Sequence, residues 1–242
     1  MKEKIINLME RNGITASPEL PERLEIYLRL LKEWNARMDL IADAPDDEIL
    51  DRHFADSLMA LKAGLVPDHA RWIDVGTGAG FPGLPLAMAK PDIMVTLMDA
   101  QQKRLNFLQA VIDETGINNA VTVHARAEEG ARNPEFREQF DIASARAVAP
   151  LNTLTEYLLP FVRIGGAALC WKGPALKDEL EAGRRSAHLL GGRLEMPVFC
   201  RIAGRDWEHT ILPIRKTEKT AAAYPRKPGT PKAKPLVKQK EE

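Results

Sequence analysis

The sequence predicts an α/β fold: a mostly parallel sheet with crossover helices, an antiparallel C-terminal strand, and a helical extension in front. Three observations predict it. From Arg71 onward short apolar runs alternate with helical patterns, the signature of a parallel sheet wound through crossovers. The first of these runs leads into the glycine-rich "WIDVGTGAGFPGLPLAM", Trp72 to Met88. The last two, "RLEMPVFCRI" and "HTILPIRK", have no helix between them, so they should pair antiparallel at one end of the sheet.

Residues 1–66 read as a helical extension packed on the core. In "PERLEIYLRLLKEWNARM", Leu24, Tyr27, Leu28, Leu31 and Trp34 recur at three and four residues and form one apolar stripe. In "EILDRHFADSLMALKAG", Ile49, Phe54, Leu58 and Leu61 line a second face, and Gly64 supplies the stop. Within the main domain, 67–216, strands are expected at Arg71 to Val75, Met94 to Met98, Ala120 to His124, Phe140 to Ser144 and Gly166 to Trp171. Helices are expected near Gly83 to Ala89, Lys103 to Glu114, Ala149 to Pro160 and Ala175 to Leu190. The tail, 217–242, mixes Pro225, Pro228, Pro231 and Pro235 with many lysines, and no core can be built from it. It reads either as a solvated segment or as an arm for phosphate backbones.

Bulk composition narrows the classes. The chain has 242 residues, 45% hydrophobic and 28% charged, as in a soluble globular protein. Lys plus Arg and Asp plus Glu both number 34, so net charge points to no nucleic-acid partner and local charge must be read instead. Cys170 and Cys200 sit in apolar segments without metal spacing and read as core thiols. With no apolar run of signal or membrane length, a cytoplasmic location is expected, with no membrane partner and no metal.

A strand ending in Asp74, then Gly76, Gly78, Gly80 and Gly83, then a helix, is the layout of a nucleoside site at the carboxyl edge of a parallel sheet. Glycine permits positive φ and the close approach of a ligand. A phosphate-binding loop needs Gly-Lys-Ser/Thr at the helix start, where this chain has Phe81-Pro82-Gly83. A dinucleotide pattern does match from Gly78 to Gly83 and stays open, although Pro82 stiffens the turn where amide groups should meet a pyrophosphate. S-adenosylmethionine fits better. An acid at Asp74 suits a cationic ligand, Gly76 and Gly78 let it cross the backbone, and Asp99 ends the second strand where a carboxylate accepts ribose hydroxyls. Asp99 can equally cap the helix that follows.

Further along stand "EWNARMDL", "RHFADSL", "MDAQQKRLNFL", "ARAEE", "ASARAVAPL", "WKG" and "YPRKPGTPKAKPL". With these motifs in this order, from about Leu20 to Leu236, the sequence resembles the RsmG (GidB) family of bacterial small-subunit ribosomal RNA methyltransferases. The resemblance implies a Rossmann-like class I S-adenosylmethionine-dependent methyltransferase, acting on ring nitrogen 7 of a guanine in 16S rRNA near the decoding centre. The implied partner is 16S rRNA or the 30S particle, and the protein is expected to be a monomer. Family contacts to S-adenosylmethionine fall on Gly76, Phe81, Ala127, Glu128 and Arg146, with Asp99 at the ribose; Gly78 and Asp74 join them from the loop pattern. Arg146 could hold the methionine carboxylate or an RNA phosphate, or simply form an ion pair. "RAEEG" could equally be a helical first turn with acids at its positive end.

"DIASARA" carries neither an Asn/Asp-Pro-Pro-aromatic motif nor a Pro-Cys nucleophile. That suits a ring nitrogen with a free lone pair, so no catalytic base is nominated and catalysis rests on positioning. His53 and Asp56, three apart on one helix face, could close the pocket or form a buried pair. RNA contacts are expected at Lys172, Arg226 and Lys227. Arg205 is a fourth candidate, because Glu208 occupies the slot where the family often has arginine. Two rival readings remain, an RNA-binding assembly factor with a vestigial donor site and a small-molecule methyltransferase; the intact loop disfavours the first and the basic tail the second.

Overall fold

A computed structural model describes residues 1–207 and 209–238 of the chain. The N-terminal helices are α1 (Lys2–Asn12), α2 (Leu20–Met38), α3 (Asp46–Ile49) and α4 (Asp56–Lys62), with a π-helical turn, Leu50–Ala55, joining the last two. The apolar spacing explains that turn. Ile49 and Phe54 lie five residues apart, too far for one α-helical face, and the wider i→i+5 turn keeps both buried, at 4% and 0% exposed. Gly64 follows α4 with φ +67°, the expected helix stop.

The sheet has strands β1 (Arg71–Val75), β2 (Met94–Asp99), β3 (Ala120–His124), β4 (Phe140–Arg146), β5 (Val162–Lys172), β6 (Gly192–Leu194), β7 (Val198–Cys200) and β8 (His209–Lys216). Their order is β3-β2-β1-β4-β5-β8-β6, with β7 also paired to β8. β1 to β5 are parallel, and β8 runs antiparallel beside β5. The penultimate apolar run is therefore split around Pro197 into β6 and β7, both lying against β8 as the expected antiparallel pair. Crossovers are α5 (Gly83–Ala89), α6 (Gln102–Thr115), α7 (Ala127–Gly130), α8 (Leu151–Leu158) and α9 (Leu176–Leu189). Because β1 sends one crossover toward β2 while β4 lies on its other side, a crevice opens above their carboxyl ends.

The N-terminal helices share one buried apolar cluster with α5, α6 and one sheet face. Its centre is aromatic: Tyr27 of α2 stacks on Phe81 of the glycine loop at 5.3 Å, and Phe54 meets both rings edge-on at 5.1 and 5.2 Å. Tyr27 also donates its hydroxyl to the carbonyl of Ala79. Two of the loop's glycines therefore answer to protein rather than to a ligand. A Cβ at Gly80 would overlap the Tyr27 hydroxyl and fall 2.7 Å from Leu108, and one at Gly83 would lie 2.8 Å from the Cβ of Asp74.

The tail departs from expectation. Residues 217–238 form a strap docked on the α8 side of the sheet, with its lysines exposed but its path held against the domain. Arg137 donates to the carbonyls of Thr220 and Tyr224 at 2.8 Å each, and Glu138 accepts from the Thr220 amide. Further on, Asn152 and Thr153 of α8 bond the carbonyls of Val237 and Pro231, flanking the short helix α10 (Thr230–Ala233). The strap adds backbone groups, prolines and the Arg226 guanidinium to a surface that other elements built.

Gly80→Ala is expected to lower stability by about 2–3 kcal/mol, from a Cβ overlap at φ +97°. Gly64→Ala, at φ +67° in open space, should cost only about 1 kcal/mol. Urea midpoints at constant m-value would compare the two, and equal losses would remove the packing explanation.

Candidate active site

The glycine loop is organised from below by Asp74. Its carboxylate is fully buried, and burial pushes its pKa up against donors that pull it down. Oδ2 accepts from the Thr77 hydroxyl at 2.7 Å and the Gly83 amide at 3.1 Å. Oδ1 accepts from the Ser144 hydroxyl at 2.7 Å, placed there because β1 and β4 pair Asp74 with Ser144. Ser144 in turn accepts from the Trp72 indole. Asp74 does not line the cavity above the loop, which corrects its assignment as a ligand contact: its oxygens are taken by protein donors.

That cavity, of about 640 Å³, lies over the carboxyl ends of β1 to β4. Gly76 and Gly78 line its floor at φ +68° and +59°, and Phe81 forms a wall. Asp99 enters from the end of β2, accepting from the Gly78 amide at 2.9 Å and the Gln101 amide at 2.8 Å, with Arg104 at 3.5 Å. It thus caps α6 and steadies the loop while keeping lone-pair capacity toward the cavity. Ala127 and Glu128 line the side reached through β3, and Arg146 the side at the end of β4. These sequence-nominated residues, Asp74 excepted, converge on one space.

Arg146 is held on several sides. Its guanidinium donates to His53 Nδ1 at 2.7 Å, Asp56 Oδ2 at 3.2 Å and the Arg52 carbonyl at 2.9 Å, and sits 5.0 Å over the Phe81 ring. Asp56 gives its other oxygen to His209 at 2.8 Å. His53 stacks on Phe81 at 5.1 Å, and burial together with the nearby Arg146 pushes its pKa down to about 3. The imidazole is neutral, with Nδ1 as acceptor, so the nominated His53 and Asp56 act as a clamp for Arg146. The π-helical turn carries His53, and Asp56 opens α4 directly after it.

A second cavity of about 350 Å³ lies beyond this clamp and shares His53, Arg146 and Ala147 with the first. Trp171, Lys172, Gly173 and His209 line it. Lys172 reaches it as expected, but its ammonium pairs with Glu179 at 2.5 Å, so much of its charge is compensated within the protein. Arg205 is also committed: it donates to buried Asp51 at 2.7 Å, which Arg11 approaches as well. Arg226 forms a fork on fully buried Glu156, at 2.7 to 3.2 Å, and so anchors the strap. Lys227 is exposed. Glu208 lies outside the described residues.

Several cavity residues were not nominated from the sequence. Leu40 and Ile41 reach the first cavity because Asn35 accepts the Ile41 amide at 2.9 Å and shapes the loop after α2. Tyr157 of α8 and Lys232 of the strap also line it. Arg126 and Arg104 flank Glu128 and Asp99 in sequence, and a search of charges beside those acids would have found them.

A family model described as rRNA small subunit methyltransferase G (GidB) matches residues 21–207. The ribosomal RNA small subunit methyltransferase G of Clostridium botulinum (strain Eklund 17B / Type B) is 42% identical over 224 residues, 93% of this chain and 94% of that protein. The same-named protein of Alkaliphilus metalliredigens is 43% identical, over 89% and 90% of the two chains. Among solved structures, a SAM-dependent methyltransferase from Aquifex aeolicus aligns with TM-score 0.52 at 20% identity, covering 70% of this chain and 93% of that one. M. jannaschii TYW2, solved in complex with AdoMet, aligns with TM-score 0.51 at 15% identity, over 64% and 73% of the two chains. These two likenesses concern the fold, which is that of class I methyltransferases.

The clamp has a pH signature. An unfolded histidine takes up a proton near its ordinary pKa of about 6.5, whereas His53 does so only near about 3. Between these values the unfolded chain binds more protons, so stability is whole above about pH 6.5 and is lost as pH falls toward 3. Denaturation from pH 7 to 4 should show a shallower loss in His53→Gln than in the unaltered chain. Parallel curves would mean that His53 is protonated in the fold.

Proposed function

The chain belongs to the rRNA small subunit methyltransferase G family, and from that premise we propose that it methylates ring nitrogen 7 of a guanine in 16S rRNA, near the decoding centre of the small subunit. Membership makes it an S-adenosylmethionine-dependent rRNA methyltransferase. The guanine, its nitrogen and its location are the finer reading. The observation that carries this reading is the pair of cavities meeting at Arg146, His53 and Ala147.

The first cavity fits the donor on three counts. Its volume lies within the usual range for ligand pockets. Gly76 and Gly78 give it a floor without side chains, and Asp99 retains acceptor capacity for ribose hydroxyls beyond the amides it already binds. Phe81 supplies an apolar wall. When bound, S-adenosylmethionine supplies an electrophilic methyl group on a positively charged sulfur. The second cavity would then hold the base, so that its nitrogen approaches past Arg146.

The junction has little capacity to accept a proton, and that favours ring nitrogen 7. His53 has its Nδ1 lone pair engaged by Arg146 and a pKa near 3, and Asp56 is bonded through both oxygens. A neutral guanine offers a free lone pair at that nitrogen, so transfer releases no proton from it. The chain's contribution is to hold both reactants in line and exclude water, which the Phe81, His53 and Arg146 stack does at the boundary. Arg146, fixed by its neighbours, has little freedom left to lose on binding.

Labelled methyl transfer to 30S particles or 16S rRNA, followed by nucleoside mass spectrometry, should yield 7-methylguanosine. Replacing the target guanine by 7-deazaguanine should abolish it, and methylation at another atom would overturn the assignment. Arg146→Ala is expected to lower kcat by about a hundred-fold or more through lost alignment, with the fold intact by circular dichroism.

A further inference from the structure

The strap reaches the donor cavity through one residue. Of positions 217–238, Lys232 alone lines that cavity among the described residues. Its placement is fixed from both sides. Before it, the Gly229 amide donates to Glu128 Oε1 at 2.8 Å, and Arg226 forks onto Glu156. Beside it, Pro231 is buried with its carbonyl on Thr153, and after it the Val237 carbonyl accepts from Asn152 at 2.6 Å. These anchors involve side chains with little exposure, Glu128 at 5%, Glu156 at 0%, Asn152 at 4% and Thr153 at 2%, so the strap is built into the domain.

We propose that the C-terminal strap is a wall of the donor site and that Lys232 donates a hydrogen bond to the nucleoside of bound S-adenosylmethionine. The proposal rests on reading the first cavity as the donor pocket. An ammonium is a donor only, and a nucleoside offers acceptors at its ring nitrogens and hydroxyl oxygens. The end of the cavity follows from the anchors. Lys232 is tied through Gly229 to Glu128, on the side built after β3, whereas the junction with the second cavity lies at Arg146, after β4. The reacting methyl belongs at that junction, so the strap serves the opposite, nucleoside end. A basic tail thereby acts on the cofactor rather than on a phosphate backbone.

The test is calorimetric titration of the full-length chain and its variants with S-adenosylmethionine and S-adenosylhomocysteine. Lys232→Met should weaken binding about ten-fold, the loss of one hydrogen bond from a charged donor, and Lys232→Arg should restore most of it. Truncation after Arg226, which keeps the fork on Glu156, should weaken binding at least as much as Lys232→Met. The salt dependence of 16S rRNA binding should be the same for Lys232→Met as for the unaltered chain, since a lost phosphate contact would lower that slope by roughly 0.7 to 0.9. Unchanged cofactor affinity in Lys232→Met, or a change confined to the RNA slope, overturns the proposal. If the unaltered chain fails to bind either molecule, the donor-pocket reading itself falls, and the strap's role with it.

Discussion

A carboxylate sealed away from water must find its donors within the protein, and Asp74 finds them in the parts that define the crevice. It bonds Thr77 in the loop, Gly83 at the first turn of α5 and Ser144 on the neighbouring strand. An unpaired buried carboxylate costs several kcal/mol, so these contacts are mutually required rather than decorative. The loop's path, the start of α5 and the lateral fit of β1 to β4 are thus fixed by one group. Gly83 belongs to the same constraint, because any side chain there would meet Asp74. The residue that looks most like a ligand contact in sequence spends both its oxygens on the frame beneath the cavity.

Above that base, the aromatic cluster gives the N-terminal helices a role in the chemistry. Tyr27 and Phe54 hold Phe81 in place, Phe81 supports His53 and Arg146, and the π-helical turn sets His53 and Asp56 at the height of Arg146. An arginine restrained by a neutral imidazole, a carboxylate and a carbonyl is a rigid partition between two cavities. Its charge is only partly offset, by Asp56, which His209 also engages. Under the proposed reading that boundary is where the sulfonium loses charge as the base gains it, so the potential there bears on the transfer.

The positions of β1 to β5 along the chain were readable because a parallel sheet buried on both faces leaves continuous apolar runs separated by helices. Gly76, Gly78, Phe81, Asp99, Ala127, Glu128 and Arg146 were readable because each sits at a strand end or a loop, where sequence position nearly dictates spatial position. The π-helical turn was written in the five-residue gap between Ile49 and Phe54 but passes for a looser stripe. Leu40, Tyr157 and Lys232 could not be placed at the cavity, although two of them stand within recognisable motifs, since their place depends on how three distant segments pack. Periodicity reports which face is buried and says nothing about which cavity an exposed-looking side chain adjoins.

The tail shows why a run of charge along a chain is a poor map of charge in space. Its lysines and arginine have few acids near them in sequence, so the segment reads as solvated or as an arm for phosphate. Carboxylates from elsewhere meet it: Glu156 on α8 pairs with Arg226, while Glu138 before β4 and Glu128 on α7 accept from the backbone amides of Thr220 and Gly229. Glu156 is fully buried and would be costly there without Arg226, so α8 and the strap each need the other to be acceptable. The same holds for Lys216, buried at the start of the strap, with its pKa lowered to about 8 by burial and its ammonium spread over Leu159, Leu190 and Thr220. Prolines that deny the segment regular structure also limit the freedom it would lose on docking. A segment without a core of its own can therefore be ordered by buried acids waiting for it, and in this chain those acids lead it to the edge of the donor cavity.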